Sequence, residues 1–426
     1  MTSEAWELNV PYGGQMLAAR VDWARLLGTL EVADIPGLED AARTLAAKLS
    51  TQDVLNTFRA GERVVIVVSD SFRQTGMHHL LPTLLESLEA RGIAEEDVSF
   101  VFSTGTHRGP TEDEAAKILG VDIYAQFKDR AYAHDPFDEK ELVYLGETSQ
   151  GTPVYLNRRV VEADRVILTG TVVLHYFGGF GGGRKSVVPG VAGVATIAHN
   201  HARNLHPTED CLNPAVRIGA LEGNPVAEDM AEGAAFLKVD LLINTVLNRH
   251  GAIAGIFVGE MTAAHIEACQ FAHDLYVVPL PQQADLVIAS AGSAKNFIQS
   301  HKALFNAFQA LKPGGRIIFL TPAQEGFGGN KFSQWLELGS REAIIRELRR
   351  NAEINGQTAL STIEKAAVSI MVTALNDAEV RHLGAEKADS LEDALERARQ
   401  YFEKAGNPSP TVLLMPSASY TVPMPE

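Results

Sequence analysis

The first two-thirds of the chain alternate short, continuous apolar runs with segments of helical periodicity. Residues 64–68 are five consecutive Val and Ile residues, and apolar residues recur at helical spacing over 77–90. The apolar runs 98–102, 165–168 and 239–244 predict further strands. Strands that are apolar along their whole length are typical of a parallel sheet with helices on both faces.

A second region of the same kind follows the proline-containing segment 279–283. Residues 285–289 and 316–320 predict strands, and 303–311 predict a helix between them. A helix-start signal at Ser390 and apolar positions at helical spacing predict a last helix over 391–402. This region is therefore also expected to be α/β.

Together the two patterns predict an α/β protein of two α/β domains with mainly parallel sheets. The expected boundaries are 1–280 for an N-terminal domain, which opens with a β-ribbon over 1–30, and 281–407 for a Rossmann-like C-terminal domain. The tail, about 408–426, is expected to return to the N-terminal domain. Because clefts between domains commonly host ligands, we expect the active site there.

Composition narrows the class of protein further. The chain has 426 residues and a formal net charge of −16, which argues against a nucleic-acid partner. No apolar run approaches the length of a membrane span, and residues 1–10 lack a signal-peptide pattern, so a cytoplasmic location is expected. Cys211 and Cys269 predict neither a disulfide framework nor a cysteine metal site. The oligomeric state stays open, a homo-oligomer included.

The most informative segment is 169–206, which combines glycines, a lysine and several histidines. In chain order they are His175, the glycine-rich run 178–183, Arg184-Lys185-Ser186, His199, His201 and His206. Neither a P-loop nor a dinucleotide fingerprint fits, since each needs glycine where Arg184 stands. A flexible surface loop is the ordinary interpretation of such a run. The titratable residues on both sides favour a cofactor site instead.

Polar residues also follow three of the predicted strands. Asp70 and Arg73 come after the first strand, His107 after the second and His175 after the third. Ligands of open parallel sheets bind beyond the carboxyl ends of the strands, so these residues are expected on one rim. Taken singly, each has a structural explanation as a turn cap, an exposed charge or a hydrogen-bonded histidine.

The second region contributes two polar residues near a helix start. Gln299 and Lys302 are three residues apart and share a helix face. The N-terminus of a helix favours a carboxylate or a phosphate, although a solvated helix start explains the pattern equally well.

Taken together, these residues resemble the nickel-dependent lactate racemase family. The resemblance runs from the loop after residue 68 to the Gln299–Lys302 helix, and its most specific part is the block 178–190 followed by Asn200-His201. The segment 221–225 resembles the family's Gly-Asn-Pro segment. The spacing agrees as well, with His175 ten residues before Lys185 and His201 sixteen after it.

The resemblance implies a nickel-pincer nucleotide, which is pyridinium-3,5-bisthiocarboxylic acid mononucleotide with nickel, covalently linked to Lys185. His201 would be the protein ligand to the metal. Gly181, Gly182 and Gly183 would approach the nucleotide phosphate, and Asp70 would position the cofactor or an arginine. The cofactor further implies separate cofactor-maturation enzymes as partners.

The implied activity is racemisation or epimerisation of a small, lactate-like 2-hydroxy acid by reversible hydride transfer. His107 and His175 would be the two catalytic bases, one for each enantiomer. Arg73, Gln299 and Lys302 would bind the substrate carboxylate.

Two departures from the family pattern lie on the presumed substrate side. The family's first loop commonly reads Ser-Asp-x-Thr-Arg-Pro, but Phe72 and Gln74 replace the Thr and the Pro here. Before the Gln299 helix, 294–296 reads Ala-Lys-Asn where the family often has Pro-Lys-Asp. The cofactor is therefore better supported than the choice of lactate.

Two other functions stay open. A metal hydrolase or lyase could use His199 and His201, because His-x-His pairs bind zinc. A non-catalytic phosphate- or nucleotide-binding module would retain only the glycine-rich segment.

Overall fold

The computed structural model describes residues 5–425, with the side chain of residue 330 excepted. The chain forms two compact units. One, the central unit, comprises residues 34–275. The other, the terminal unit, combines the described residues before 34 with those from 276 onward.

The bounds of the regular elements are as follows. Within residues 5–425 the strands, numbered β1 to β20 in chain order, are Trp6–Tyr12, Gln15–Val21, Arg25–Thr29, Val64–Ser69, Val98–Ser103, Ala131–Ala133, Leu142–Glu147, Pro153–Asn157, Arg165–Thr171, Leu174–His175, Gly179–Phe180, Leu241–Leu247, Ile253–Gly259, Val277–Leu280, Ala284–Ser290, Leu311–Leu320, Ser369–Val372, Glu386–Ala388, Thr411–Met415 and Val422–Pro425. The helices of the same residues, α1 to α14, are Ala41–Ser50, Leu81–Glu89, Glu112–Leu119, Val121–Phe127, Arg158–Val161, Val194–Ala202, Pro225–Ala234, Met261–Tyr276, Phe297–Gln309, Asn330–Leu336, Arg341–Leu348, Ile354–Ala366, Asp377–His382 and Leu391–Lys404. None of these described helices is both long and apolar enough to cross a membrane.

The central unit is built on a six-stranded sheet in the order β13-β12-β9-β4-β5-β6. Every neighbouring pair is parallel except β12 and β13. The apolar residues of β4, Val64 to Val68, are all buried, as expected for a strand covered on both faces. The strands predicted at 64–68, 98–102 and 165–168 are confirmed, and the one predicted at 239–244 runs over 241–247.

The terminal unit contains a second six-stranded sheet, in the order β18-β17-β16-β15-β19-β3, with all its pairs parallel. The ribbon predicted near the N-terminus is confirmed as the antiparallel pair β1 and β2. The helix predicted at 303–311 begins earlier, at Phe297, because the Asn296 side chain accepts the Gln299 N–H and caps it. The fold class of two α/β units with mainly parallel sheets is confirmed.

The expected domain boundaries differ from those of the structure at both ends of the chain. Strand β3 pairs with β19, so residues 1–33 belong with the C-terminal sheet. The tail also stays in the terminal unit, since β20 pairs with β14. A five-residue edge strand carries too short a pattern to reveal its partner.

Candidate active site

Two of the predicted rim residues come together at the carboxyl edge of the central sheet. Strands β4 and β5 are parallel neighbours, and Ser69 pairs with Ser103 at their ends. The loops that follow therefore start side by side. The Asp70 Oδ2 and His107 Nδ1 atoms lie 2.6 Å apart, which confirms that these two residues converge.

The Asp70–His107 pair fixes the orientation of an imidazole. Asp70 is buried, and its other carboxylate oxygen accepts the Phe72 N–H at 3.1 Å. His107 donates Nδ1–H to Asp70, which leaves the lone pair of Nε2 available as a base. The His107 side chain is 40% exposed, and the Phe72 ring lies 4.7 Å from its ring. Asp70 thus positions His107, and its expected role in positioning the cofactor or an arginine stays a prediction.

A second group of side chains surrounds the ring of Phe177. The His175 and His201 ring centroids lie 4.5 and 4.8 Å from the Phe177 centroid, and Lys185 Nζ lies 5.2 Å from it. A Cβ built on Gly178 would lie 3.6 Å from Lys185 Nζ and 3.7 Å from His175 Nδ1. We call these four residues, His175, Phe177, Lys185 and His201, the lysine cluster. The structure therefore brings together the amine and both imidazoles that the sequence singled out.

The environment of His201 keeps its imidazole neutral. Complete burial, and then the positive charge of Lys185, lower the pKa of His201 to about 3. A neutral ring has a nitrogen lone pair to offer, so no proton competes with a metal ion at neutral pH.

His175 has the opposite tautomer to His107. The backbone N–H groups of Gly178 and Phe177 lie 3.2 and 3.4 Å from its Nδ1, which accepts from them. The neutral ring then carries its proton on Nε2. At Nε2, His107 thus presents a lone pair and His175 presents an N–H.

A buried network holds the helix that carries His201. The Asp229 carboxylate on α7 accepts hydrogen bonds from Thr148 Oγ1 at 2.7 Å, Thr152 Oγ1 at 3.0 Å and Asn200 Nδ2 at 2.8 Å. It also pairs with Arg203 at 3.3 Å. Because Asn200 lies on α6 next to His201 and Arg203 directly follows the helix, this network fixes the position of α6.

We expect Asp229→Ala to lower the free energy of unfolding of the central unit by about 3 kcal/mol, because it leaves several buried donors without an acceptor. Urea denaturation followed by circular dichroism measures the loss. Glu232→Ala is the matched control, since the carboxylate of this partly exposed acid bonds Ser149 at the surface, and it should cost less than about 1 kcal/mol. Equal losses in the two variants would contradict a special role for the network.

The glycines 181–183 pack closely within the central unit. The Gly181 N–H donates to Val173 O at 2.8 Å, and the Gly183 N–H to Asn244 Oδ1 at 2.9 Å. A Cβ on Gly182 or Gly183 would lie 2.7 Å from Val172 or 2.4 Å from His265, and both glycines have positive φ. The N–H groups of Gly181 and Gly183 thus already have acceptors within the protein, and the phosphate contact expected of the three glycines stays a prediction.

The buried guanidinium of Arg184 stabilises this loop through hydrogen bonds. It donates to Gly178 O at 2.8 Å and to Ala227 O at 3.2 Å, with His265 Nδ1 at 3.3 Å. Burial lowers the pKa of Arg184 to about 10 and that of His265 to about 4, so only the arginine is charged at neutral pH. Sequence analysis missed His265 and Asn244, because their partners lie far away along the chain.

The other predicted site residues have contacts of their own. Arg73 is exposed, and its guanidinium contacts the Phe72 carbonyl at 3.4 Å. Gln299 and Lys302 lie in the first two turns of α9 in the terminal unit, where the Gln299 side-chain oxygen accepts the Lys295 N–H. The exposed His199 uses Nδ1 to donate to Ala195 O, while His201 is buried, so the two do not share a metal ion.

The described residues fit the implied cofactor at two points. Lys185 is partly buried, and it lies close enough to His201 to lower that residue's pKa, so an amine and an imidazole are together. A neutral imidazole is a suitable ligand for square-planar nickel.

Two family models and several known proteins match this chain. The lactate racemase N-terminal domain model matches residues 12–211, and the lactate racemase C-terminal domain model matches residues 280–416. The chain is 31% identical over 335 residues to the lactate racemase of Lactiplantibacillus plantarum, covering 76% of this chain and 77% of that one. It is 29% identical over 339 residues to the lactate racemase of Thermoanaerobacterium thermosaccharolyticum, covering 78% of each.

Solved structures show the same fold. The lactate racemase apoprotein of T. thermosaccharolyticum superposes with a TM-score of 0.86 at 26% identity, covering 98% of this chain and 100% of that one. A Thermotoga maritima protein shares the fold with a TM-score of 0.67 at 16% identity, covering 92% of this chain and 100% of that one. The fold and the site thus define a two-unit α/β protein with a lysine and histidines at one sheet edge. The chain belongs to the lactate racemase family.

Proposed function

We propose that this protein is a 2-hydroxy acid racemase, an isomerase, with lactate as the first substrate to test. The observation that carries the proposal is the lysine cluster, in which Lys185, His175 and His201 surround one phenylalanine ring. Family membership supports the same activity, since both curated relatives are lactate racemases.

Lys185 and His201 would hold the nickel-pincer nucleotide, the lysine through a covalent bond and the histidine as a metal ligand. When bound, this cofactor supplies a group that accepts a hydride from C2 of the substrate and returns it. The buried, neutral state of His201 suits this role, because a ligand must offer its lone pair at working pH. Cofactor-maturation enzymes are the partners that this arrangement requires.

Racemisation needs a proton acceptor on each side of the substrate. The hydroxyl proton leaves as C2 loses a hydride and becomes planar, and the other enantiomer forms when the hydride returns to the opposite face of C2 and a proton returns to the oxygen. His107 would accept the first proton through Nε2, and His175, protonated beforehand, would supply the second. The two histidines exchange these tasks in the reverse direction.

The substrate carboxylate needs positive charge and hydrogen-bond donors. We assign Arg73 to it, because a guanidinium binds a carboxylate through two parallel hydrogen bonds. Gln299 and Lys302 are proposed as further carboxylate ligands. Phe72, which contacts His107 and is 43% exposed, is positioned to touch the substrate next to this base.

The test is a chiral assay of protein produced together with the cofactor-maturation enzymes. We expect both L-lactate and D-lactate to approach the same equal mixture, since the two enantiomers have equal free energies. A panel of 2-hydroxy acids with larger side chains, assayed in parallel, determines the substrate preference. Nucleotide binding without interconversion of any acid, in protein that carries the cofactor mass, would contradict the proposal.

A further inference from the structure

Three unlike metal-binding side chains meet in a loop outside the lysine cluster. His206, Glu209 and Cys211 each offer one ligand atom, and these atoms all lie within 4.8 Å of one another. The sequence predicted no metal site at either cysteine, because no Cys-x-x-Cys pattern is present. Folding of the loop nevertheless brings a histidine and a glutamate close to Cys211, which the spacing of the cysteines does not indicate.

The backbone holds these residues together. Leu205 and Leu212 form an antiparallel bridge, the His206 N–H donates to Cys211 O at 2.9 Å, and the Cys211 N–H donates to Glu209 O at 2.9 Å. The loop is thus a closed hairpin, and three ligands on so short a segment need no distant partner. Less ordering entropy is lost when a cation binds to ligands that are already close.

The side-chain geometry is close to that of a tetrahedral site. Cys211 Sγ and Glu209 Oε2 lie 3.9 Å apart, and metal–ligand bonds of about 2.0–2.3 Å place tetrahedral ligands roughly 3.5 Å apart. The Glu209 N–H donates to His206 Nδ1 at 3.0 Å, which holds the ring against the loop, and a cation bound at Nδ1 would take the place of this N–H. A contraction of about 1 Å would bring all three atoms onto one cation.

The donor atoms of His206, Glu209 and Cys211 indicate which metal ion the loop would bind. A thiolate, an imidazole and a carboxylate suit zinc, whereas calcium and magnesium require oxygen ligands. The thiolate and the carboxylate together carry two negative charges, which one divalent cation neutralises. We propose that the 206–211 loop binds one Zn²⁺ through His206, Glu209 and Cys211, with water as the fourth ligand.

The experiment titrates the full-length His201→Ala protein, which removes the nickel ligand of the lysine cluster, with Zn²⁺ against a chromophoric chelator. We expect one equivalent to bind, and Cys211→Ser or His206→Ala in this background to weaken binding at least tenfold. Cys269→Ser is the matched control, because burial raises the pKa of that thiol to about 12 and it lies outside the loop. Its binding should be unchanged.

A second measurement needs no loop variant. Co²⁺ should give a sulfur-to-cobalt charge-transfer band in the near ultraviolet, and Zn²⁺ should slow alkylation of Cys211 by iodoacetamide in the unaltered protein at least tenfold. Zinc binding that is equally tight in Cys211→Ser and His206→Ala, or alkylation of Cys211 at the same rate with and without Zn²⁺, would overturn the proposal.

Discussion

Replacing Lys185 by alanine is expected to abolish covalent attachment of the cofactor. In protein produced with the maturation enzymes, the intact mass should equal that of the bare chain, and racemisation should fall to background. In the proposed arrangement the Lys185 amine, which lies in the lysine cluster near Phe177 and His201, provides the nitrogen of the covalent bond to the cofactor. Intact-protein mass spectrometry with metal analysis measures both results.

Two further variants distinguish covalent attachment through Lys185 from an effect of its positive charge. Lys185→Arg keeps a cation beside the Phe177 ring but cannot form the same amide-type bond, so it should also lack the added mass. Lys238→Ala removes a lysine whose side chain is 80% exposed, and it should carry the full mass. Full added mass in Lys185→Ala would show that the cofactor is attached elsewhere, whether or not the protein racemises lactate.

Much of this site could be predicted because its chemistry is local in the sequence. Lys185 and His201 lie sixteen residues apart, and the β9–α6 connection folds them around Phe177. The Asp70–His107 pair could be predicted only as neighbours on a rim, since the bond between them depends on the pairing of β4 with β5. Periodicity identified both strands but not which of their loop atoms would meet.

Other features depend on long-range packing that no local pattern encodes. The packing of the glycines 181–183 against Asn244 and His265 could not be predicted from their own segment. Likewise, β3 joins the C-terminal sheet because Leu26 pairs with Val412. In both cases the structural environment depends on residues that are distant in the sequence.

Alanine at His107 or at His175 is expected to reduce racemisation by about 10³-fold in both directions, while the cofactor mass and the nickel content stay unchanged. Each direction needs one histidine to accept a proton and the other to return one. His107 is held by Asp70, and His175 by the backbone N–H groups of the 177–178 turn, so neither can take over the position of the other. Steady-state chiral assays measure the loss.

Single-turnover experiments with enzyme in excess distinguish the two variants. A variant that keeps one base can still oxidise the enantiomer whose hydroxyl faces that base, so each should form 2-keto acid from one enantiomer only, and from opposite ones. His199→Ala is the matched control, because that exposed histidine donates to its own helix at Ala195 O and should leave the rate within twofold. If both variants formed 2-keto acid from the same enantiomer, or if one retained full racemisation, two opposed bases could not be the mechanism. The assignment of His107 and His175 would then have to be abandoned, even with Lys185 and His201 in their proposed roles.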